Sequence, residues 1–214
     1  LIYYFCLMIT LAEENYLKAI LSISLNKDGK VSTNAIASEI GTSAASVSDM
    51  LKKLQEKKLI RYEKYKGVEL SKLGKNKAIN ILRKHRLWET FLVNKLGFNW
   101  GEVHDVAEQL EHIKSPALID RLDTFLEHPK FDPHGEPIPN KEGEIPSTNT
   151  TPLNELKTNT KGKIMGVSLD EKDFLDYLTK LNITIGTEVI LLEKISFDKS
   201  LSIKIANTKK HISN

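Results

Sequence analysis

The chain has 214 residues, 40% of them hydrophobic and 28% charged, with a formal net charge of +3. That is room for one large domain or two to three small ones, and it excludes a disordered or fibrous chain. No apolar run approaches the roughly 18–20 residues of a membrane-spanning helix, so membrane embedding is excluded too. A single cysteine, Cys6, permits neither an internal disulfide nor a thiolate metal cluster, which suits a reducing cytoplasm. The apolar opening lacks the basic flank and small-residue cleavage site of a secretory signal; Met8 reads as the natural start and residues 1–7 as an upstream extension. Charge is unevenly spread. Residues 10–77 carry 13 Lys/Arg against 8 Asp/Glu, residues 78–147 carry 8 against 12 with five of the six histidines, and residues 148–214 carry 10 against 8. A basic front and an acidic, histidine-rich middle point to a polyanion-binding unit joined to a cation-binding one.

Residues 11–25 have helical spacing, with Leu11, Leu17, Ile20, Leu21 and Leu25 apolar, and the stretch from Asn26 to Gly29 breaks them. A short helix follows over residues 34–40, capped by Ser32 or Thr33 and stopped by Gly41, where a tight turn needs positive φ. A second helix over residues 44–57 places Val47, Met50, Leu51 and Leu54 on one face, giving a helix-turn-helix. The segment LIRYEKYKGVEL (59–70) then reads as a hairpin turning at Lys66 and Gly67, so the unit is a winged helix. From Lys52 to Lys66 there are seven basic residues and two acidic ones, where a merely solvated surface would alternate signs; nucleic-acid binding is the preferred reading.

A long helix is expected over residues 73–97, another over 102–114, and a third from Ser115 and Pro116 to His128 whose Leu118, Ile119, Leu122, Phe125 and Leu126 serve either a dimer seam or internal packing. Six of the seven prolines fall between 128 and 152, so residues 140–160 are read as a linker. Strands over 162–168, 184–194 and 201–205, with one helix over 170–181, suggest a small β-barrel-like module whose last strand is missing from the pattern.

Glu108, Glu111 and His112 stand at i, i+3 and i+4 on one helical face, with His104 one turn earlier; His85 and Glu89 form another i, i+4 pair. Carboxylates and imidazoles so grouped suit a divalent first-row metal better than an incidental solvated face. The segments KHRLWE (84–89), VHDVAEQLEH (103–112) and FDPHGEPIP (131–139) together resemble the metal-dependent repressors of the diphtheria toxin repressor family, iron-dependent and manganese transport regulators included. The likeness runs from Thr10 across nearly the whole chain. It implies a mainly α protein: a winged helix-turn-helix over residues 10–76, a helical metal-binding and dimerisation domain over 77–139, a linker over 140–160 and an SH3-like β-barrel over 161–214.

The resemblance also implies a primary metal site at Asn15, Glu108, Glu111 and His112, with His85 near it. It implies an ancillary site at His85, Glu89 and His104, completed by Asp170 and Asp173 or, as in some relatives, by Asp132 and His134 of the Pro-His-Gly turn. Three departures stand out: Asn15 brings no charge where relatives have methionine or aspartate, Lys18 occupies the place of a second carboxylate, and Glu108 replaces a cysteine. Oxygen and nitrogen donors suit Mn²⁺ or Fe²⁺, with Zn²⁺, Co²⁺ or Ni²⁺ able to substitute in vitro.

On DNA, the resemblance directs Ser43, Ala45, Ser46 and Asp49 at the major groove and puts Lys52, Lys53, Lys64 and Lys66 on phosphates, with Ser43 and Ser46 also fit for helix capping. A homodimer would set its two reading helices about 34 Å apart on double-stranded operator DNA. The expected function is a cytoplasmic, homodimeric repressor of metal-uptake genes activated by Mn²⁺ or Fe²⁺. The alternatives are a winged-helix regulator with a purely structural metal and a metal-dependent hydrolase using the same cluster; no HExxH motif, P-loop or nucleophile elbow supports an enzyme.

Overall fold

In a computed structural model the described residues are 9–26, 29–64 and 66–213. Met8, Cys6 and the expected upstream extension lie outside them, as do Lys27 and Asp28 of the first break. The chain divides into two compact units. One gathers residues up to 85 with 108–119 and 139–144; the other gathers 86–107, 120–138 and 145 onward.

The first unit is built from three helices and a hairpin. Helix α1 (Leu11–Asn26) opens with a reciprocal cap, the Thr10 N–H donating to the Glu13 carboxylate at 2.7 Å and the Glu13 N–H to the Thr10 hydroxyl at 3.2 Å. Helix α2 (Thr33–Ile40) starts at Ser32, whose hydroxyl accepts the Ala35 N–H, and ends at Gly41 with φ of 69°. Helix α3 (Ala44–Glu56) is capped by Ser43 accepting from the Ser46 N–H at 3.2 Å. Leu17, Ile20, Ile36, Val47, Leu51 and Leu54, all at 0% exposure, form one core, because each helix offers an apolar stripe too narrow to be covered except by the other two. Strands β1 (Ile60–Glu63) and β2 (Gly67–Leu70) pair antiparallel with Tyr62 opposite Val68, and Val31 adds a bridge to Val68.

Helix α4 (Lys72–Leu96) begins one residue after Ser71 accepts its place in the hairpin, the Ser71 N–H donating to the Leu59 carbonyl at 2.9 Å. Gly74 makes this possible: a Cβ there would sit 1.9 Å from the Leu59 carbonyl oxygen. Helix α5 (Val103–Leu110) ends before the expected 114, so Glu111 and His112 lie in the turn that follows rather than on the helix with Glu108. Helix α6 (Pro116–Phe125) also stops short of 128, because Glu127 and His128 both take positive φ.

The second unit carries the C-terminal module. A 3₁₀ turn (Leu153–Glu155) lies inside the expected linker. Strands β3 (Lys161–Lys163), β4 (Glu188–Lys194), β5 (Leu201–Ile205) and β6 (Thr208–Ile212) form an antiparallel sheet in that order, with Leu191 opposite Ile203 and a register shift between Leu191 and Glu193. Helix α7 (Lys172–Lys180) adds Phe174, Tyr177 and Leu178 to a core with Ile183, Val189, Leu191, Leu201 and Ile203. The first strand is shorter than expected, and β6 supplies the strand that the sequence pattern lacked.

Gly74→Ala should destabilise the chain by about 1–3 kcal/mol, the range for forcing an extra methyl into a packed contact, here against backbone that has no rotamer to yield. Equilibrium urea denaturation followed by circular dichroism measures it; an unchanged midpoint would show that α4 can lift away from Leu59 without cost.

Candidate metal centre

Two ionisable clusters form, one in each unit. In the first, α1 presents Glu14, Asn15 and Lys18 toward the end of α5 and its following turn. The Lys18 ammonium donates to Glu108 Oε1 at 2.9 Å and to Glu111 Oε2 at 2.8 Å. Glu111 Oε2 also pairs with His85 Nδ1 at 2.6 Å, and His112 Nδ1 pairs with Glu14 Oε2 at 2.6 Å. Burial by itself would raise the Glu111 carboxyl, but the hydrogen bond from His85 and the charge of Lys18 hold it below the ordinary carboxylate range. Glu111 Oε1 and Asn15 Oδ1 are buried and accept no hydrogen bond. All five residues expected at a primary site are therefore in or beside one cluster, together with two that the expected set omitted, Glu14 and Lys18.

The second cluster lies in the second unit, where Glu89 of α4 meets the turn at residues 131–137. Glu89, Asp132 and His134 are all buried and bring one ligand atom each to within 4.8 Å of one another. The turn is rigid for local reasons. Asp132 Oδ1 accepts the backbone N–H of His134 at 2.8 Å and of Glu136 at 3.0 Å, an Asx arrangement, and Gly135 takes φ of 86° where a Cβ would strike the Met165 carbonyl. Arg86 grips the same turn, donating to the Pro137 carbonyl and to Glu136 Oε2, each at 2.5 Å. Asp132 Oδ2 is left buried without a hydrogen bond, 3.5 Å from Arg86 Nε.

Electrostatics match this geometry. Burial, then the Glu89 charge, pushes the Asp132 carboxyl up to about 7 against the pull of Arg86. Burial alone would lower the His134 imidazole, yet the adjacent Glu89 carboxylate, with the Trp100 carbonyl and Asp132 behind it, raises it to about 9. His134 Nδ1 lies 3.8 Å from Glu89 Oε2, its Nε2 bonds the Trp100 carbonyl at 2.8 Å, and its ring stacks on Trp100 at 6.2 Å. His104 Nδ1 stands 3.6 Å from both Glu89 Oε1 and Asp170 Oδ2. Asp173 is exposed on the first turn of α7, and among the described residues no ion pair joins it to this group. A cavity of about 450 Å³ lined by Thr90, Asn94, Asn99, Trp100, Phe131 and Asp132, among others, meets the cluster at Asp132.

Sequence reasoning overlooked Arg86, whose neighbours in the turn lie about fifty residues away, and Trp100. It also passed over Glu14, one position before the expected Asn15.

On the winged helix, Ser43, Ala45, Ser46 and Asp49 are exposed along the start of α3, and Lys52, Lys53, Lys64 and Lys66 are exposed on α3 and the hairpin. The Ser43 and Ser46 hydroxyls share a hydrogen bond at 2.9 Å, Asp49 holds Lys52 at 2.9 Å, and Glu63 holds Lys66 at 2.8 Å. Lys57 instead turns inward to Glu13 at 2.8 Å, tying the end of α3 to α1.

Comparison with known proteins agrees with both halves of this picture. Residues 8–68 match the iron dependent repressor N-terminal DNA binding domain, residues 71–140 the iron dependent repressor metal binding and dimerisation domain, and residues 151–213 the FeoA domain. The iron-dependent repressor IdeR of Mycobacterium leprae is 30% identical over 181 residues, covering 80% of this chain and 78% of its own length. The diphtheria toxin repressor of Corynebacterium glutamicum is 30% identical over 194 residues, 85% of this chain and 83% of its own. Among solved structures, a manganese-dependent transcriptional repressor in complex with manganese superposes with a TM-score of 0.86 at 34% identity over 94% of each chain. ScaR with bound Zn²⁺ gives 0.77 at 32% over 94% of each. With a winged helix, a histidine–carboxylate middle and a FeoA-type end in the same order as these proteins, the chain belongs to the diphtheria toxin repressor family of metal-dependent transcriptional regulators.

Proposed function

We propose that this chain is a cytoplasmic, homodimeric repressor that binds double-stranded operator DNA when loaded with Mn²⁺ or Fe²⁺, and so controls metal-uptake genes. One observation carries the reading: Glu89, Asp132 and His134 are buried, converge on one point, and leave Asp132 Oδ2 without a hydrogen bond. A buried carboxylate oxygen without a hydrogen bond is costly even with Arg86 3.5 Å away, and a divalent cation is a partner that would offset that cost. The donor set fits such an ion. It is hard oxygen with imidazole nitrogen, Arg86 fixes the turn that carries two of the donors, and His104 and Asp170 border it. When bound, the ion supplies a clamp between α4 and the turn, with no reaction to perform.

The chain's own residues then act as follows. Glu89 holds α4, the helix that starts directly behind the hairpin, and Asp132 and His134 hold the turn. Exposed Lys53 and Lys64 meet phosphates, while the short side chains of Ser43, Ala45 and Ser46 let the start of α3 approach base edges closely. Leu118 and Phe125 of α6 are exposed at 39% and 59% and suit a second copy of the chain. The relatives' printed names support both ions, and Zn²⁺, Co²⁺ or Ni²⁺ would substitute in vitro.

Mn²⁺ should tighten binding to duplexes selected from a random pool in its presence by about 5–150-fold, the range for a 1–3 kcal/mol coupling, and Glu89→Gln should remove that gain. Equal affinity with Mn²⁺ and with chelator would end the switch reading.

Lys53→Ala should weaken binding on every duplex and lower the slope of log affinity against log salt by about one. Titrations at several salt concentrations read this directly, and an unchanged slope would take Lys53 off the phosphates.

The two perturbed groups shift metal-free stability in the same direction. The proton on His134, raised from 6.5 to about 9, stabilises fully below 6.5 and is lost as pH climbs through 9. Asp132, raised from 3.8 to about 7, stabilises through its protonated form and loses that as pH rises through 7. Chelator-treated protein should therefore become easier to denature across this interval, and His134→Gln should flatten the upper part. Mn²⁺ affinity should rise over the same interval, since binding requires both groups deprotonated.

A further inference from the structure

The first cluster does not fit a divalent ion. Its natural centre, between Glu108 Oε1 and Glu111 Oε2, is taken by an ammonium belonging to the chain itself. A metal bonds such carboxylates at about 2.0–2.2 Å and would need the volume in which Lys18 Nζ stands. The lysine is well housed there: its side chain is 12% exposed against a Glu111 side chain at 0%. Charge points the same way. Asn15 adds a dipole but no negative charge, Lys18 offsets one of the two carboxylate charges it bonds, and Glu111 Oε2 is already shared with His85. His112 meanwhile spends Nδ1 on Glu14. Among the cluster's buried acceptors, those without a hydrogen bond are Asn15 Oδ1 and Glu111 Oε1, one amide oxygen and one carboxylate oxygen whose charge is already engaged.

We propose that Lys18 is the resident cation of this cluster, so that each protomer holds one divalent ion and not two. The ammonium fastens α1 to Glu108 and Glu111 whether or not metal is present. Because α1 also packs Leu17, Ile20 and Leu21 into the winged-helix core, the first unit is closed by the chain's own charge. The metal-responsive step is then confined to Glu89, Asp132 and His134. This inference rests on the reading that those three residues hold the ion.

Stoichiometry tests it on the full chain. Chelator-treated protein is equilibrated with Mn²⁺, freed of excess, and its bound manganese counted by elemental analysis alongside Mn²⁺ titration followed by electron paramagnetic resonance. Wild type should hold one ion per protomer, and Lys18→Gln should hold two, the second lost again on adding Glu111→Gln. A folded Lys18→Gln with a single ion overturns the proposal. A second wild-type ion that only Glu111→Gln removes overturns it alone, whereas a sole wild-type ion that survives Glu89→Gln and leaves with Glu111→Gln overturns the preceding reading as well. Should Lys18→Gln fail to fold, amine labelling of wild type decides: Lys18 should stay protected and unchanged at saturating Mn²⁺, and metal-induced labelling of Lys18 overturns the proposal.

Discussion

Charge buried in the middle of a helix is the constraint on which the rest of this structure turns. Every residue from 81 to 90 of α4 is buried, and that run includes Arg83, Lys84, His85, Arg86 and Glu89. An ionised side chain removed from water costs several kcal/mol unless a partner of good geometry meets it, so each must find one. His85 finds Glu111, Arg86 finds Asp132 and Glu136, and Glu89 finds His104 and His134. Burial drives the Lys84 ammonium below its usual value even though the charges of Glu14 and Glu111 support it, and it donates to the Ile113 carbonyl at 3.5 Å. An apolar helix of the same length would be cheaper to bury. A helix like this one instead gathers acidic and imidazole groups from other parts of the chain, one set within each unit.

Preorganisation separates the two clusters. The turn at 131–137 is held by Asp132 accepting two backbone N–H groups, by Gly135 lying too close to Met165 for any side chain, and by the guanidinium of Arg86 on the Pro137 carbonyl and Glu136. None of these contacts uses Asp132 Oδ2 or His134 Nδ1 in a hydrogen bond shorter than 3.5 Å. Positioning groups and binding groups are thus different atoms of the same residues. That is how a site retains its geometry without satisfying its ligands. In the first cluster Lys18, His85 and Glu14 pair with Glu108, Glu111 and His112, and Asn15 Oδ1 and Glu111 Oε1 are the buried atoms left without a hydrogen bond.

The fold was legible where local chemistry sets it. Ser32, Gly41 and Ser43 mark helix ends by capping or positive φ, which a sequence displays directly, and the structure uses all three. The hairpin follows from β-prone residues around Gly67. Legibility failed where an outcome depends on distant partners. Strand β6 reads TKKHI, with lysines in place of an apolar alternation, because an edge strand needs charge to deter further pairing more than it needs burial. The end of α5 before Glu111 was likewise hidden, since an i, i+3, i+4 pattern is compatible with a helix and with a helix followed by a turn. Of the residues the resemblance offered, Asp132 and His134 of the motif FDPHGEPIP stand beside Glu89. The resemblance also offered two aspartates near the second cluster, and Asp170 reaches His104 while Asp173 does not, a distinction that depends on where α7 begins.

A carboxylate cluster with a buried member favours a cation, and the described residues hold two such clusters, one around fully buried Glu111 and one around buried Glu89 and Asp132. Lys18 is tethered, so its effective concentration at Glu108 and Glu111 is set by chain geometry, on the order of millimolar or above, and is indifferent to the ions around it. The cluster of Glu89, Asp132 and His134 is met by Arg86 only on its Asp132 side, at 3.5 Å, and on the proposed reading a free ion supplies the remaining charge. If both sites needed free metal, occupancy of the DNA-competent protomer would rise with the square of ion concentration at low loading. With the ammonium standing permanently in one of them, it rises linearly within a protomer, and steepness must come from coupling between two copies on one operator. One tethered charge at position 18 therefore moves the cooperativity of the response out of the protomer and into the dimer.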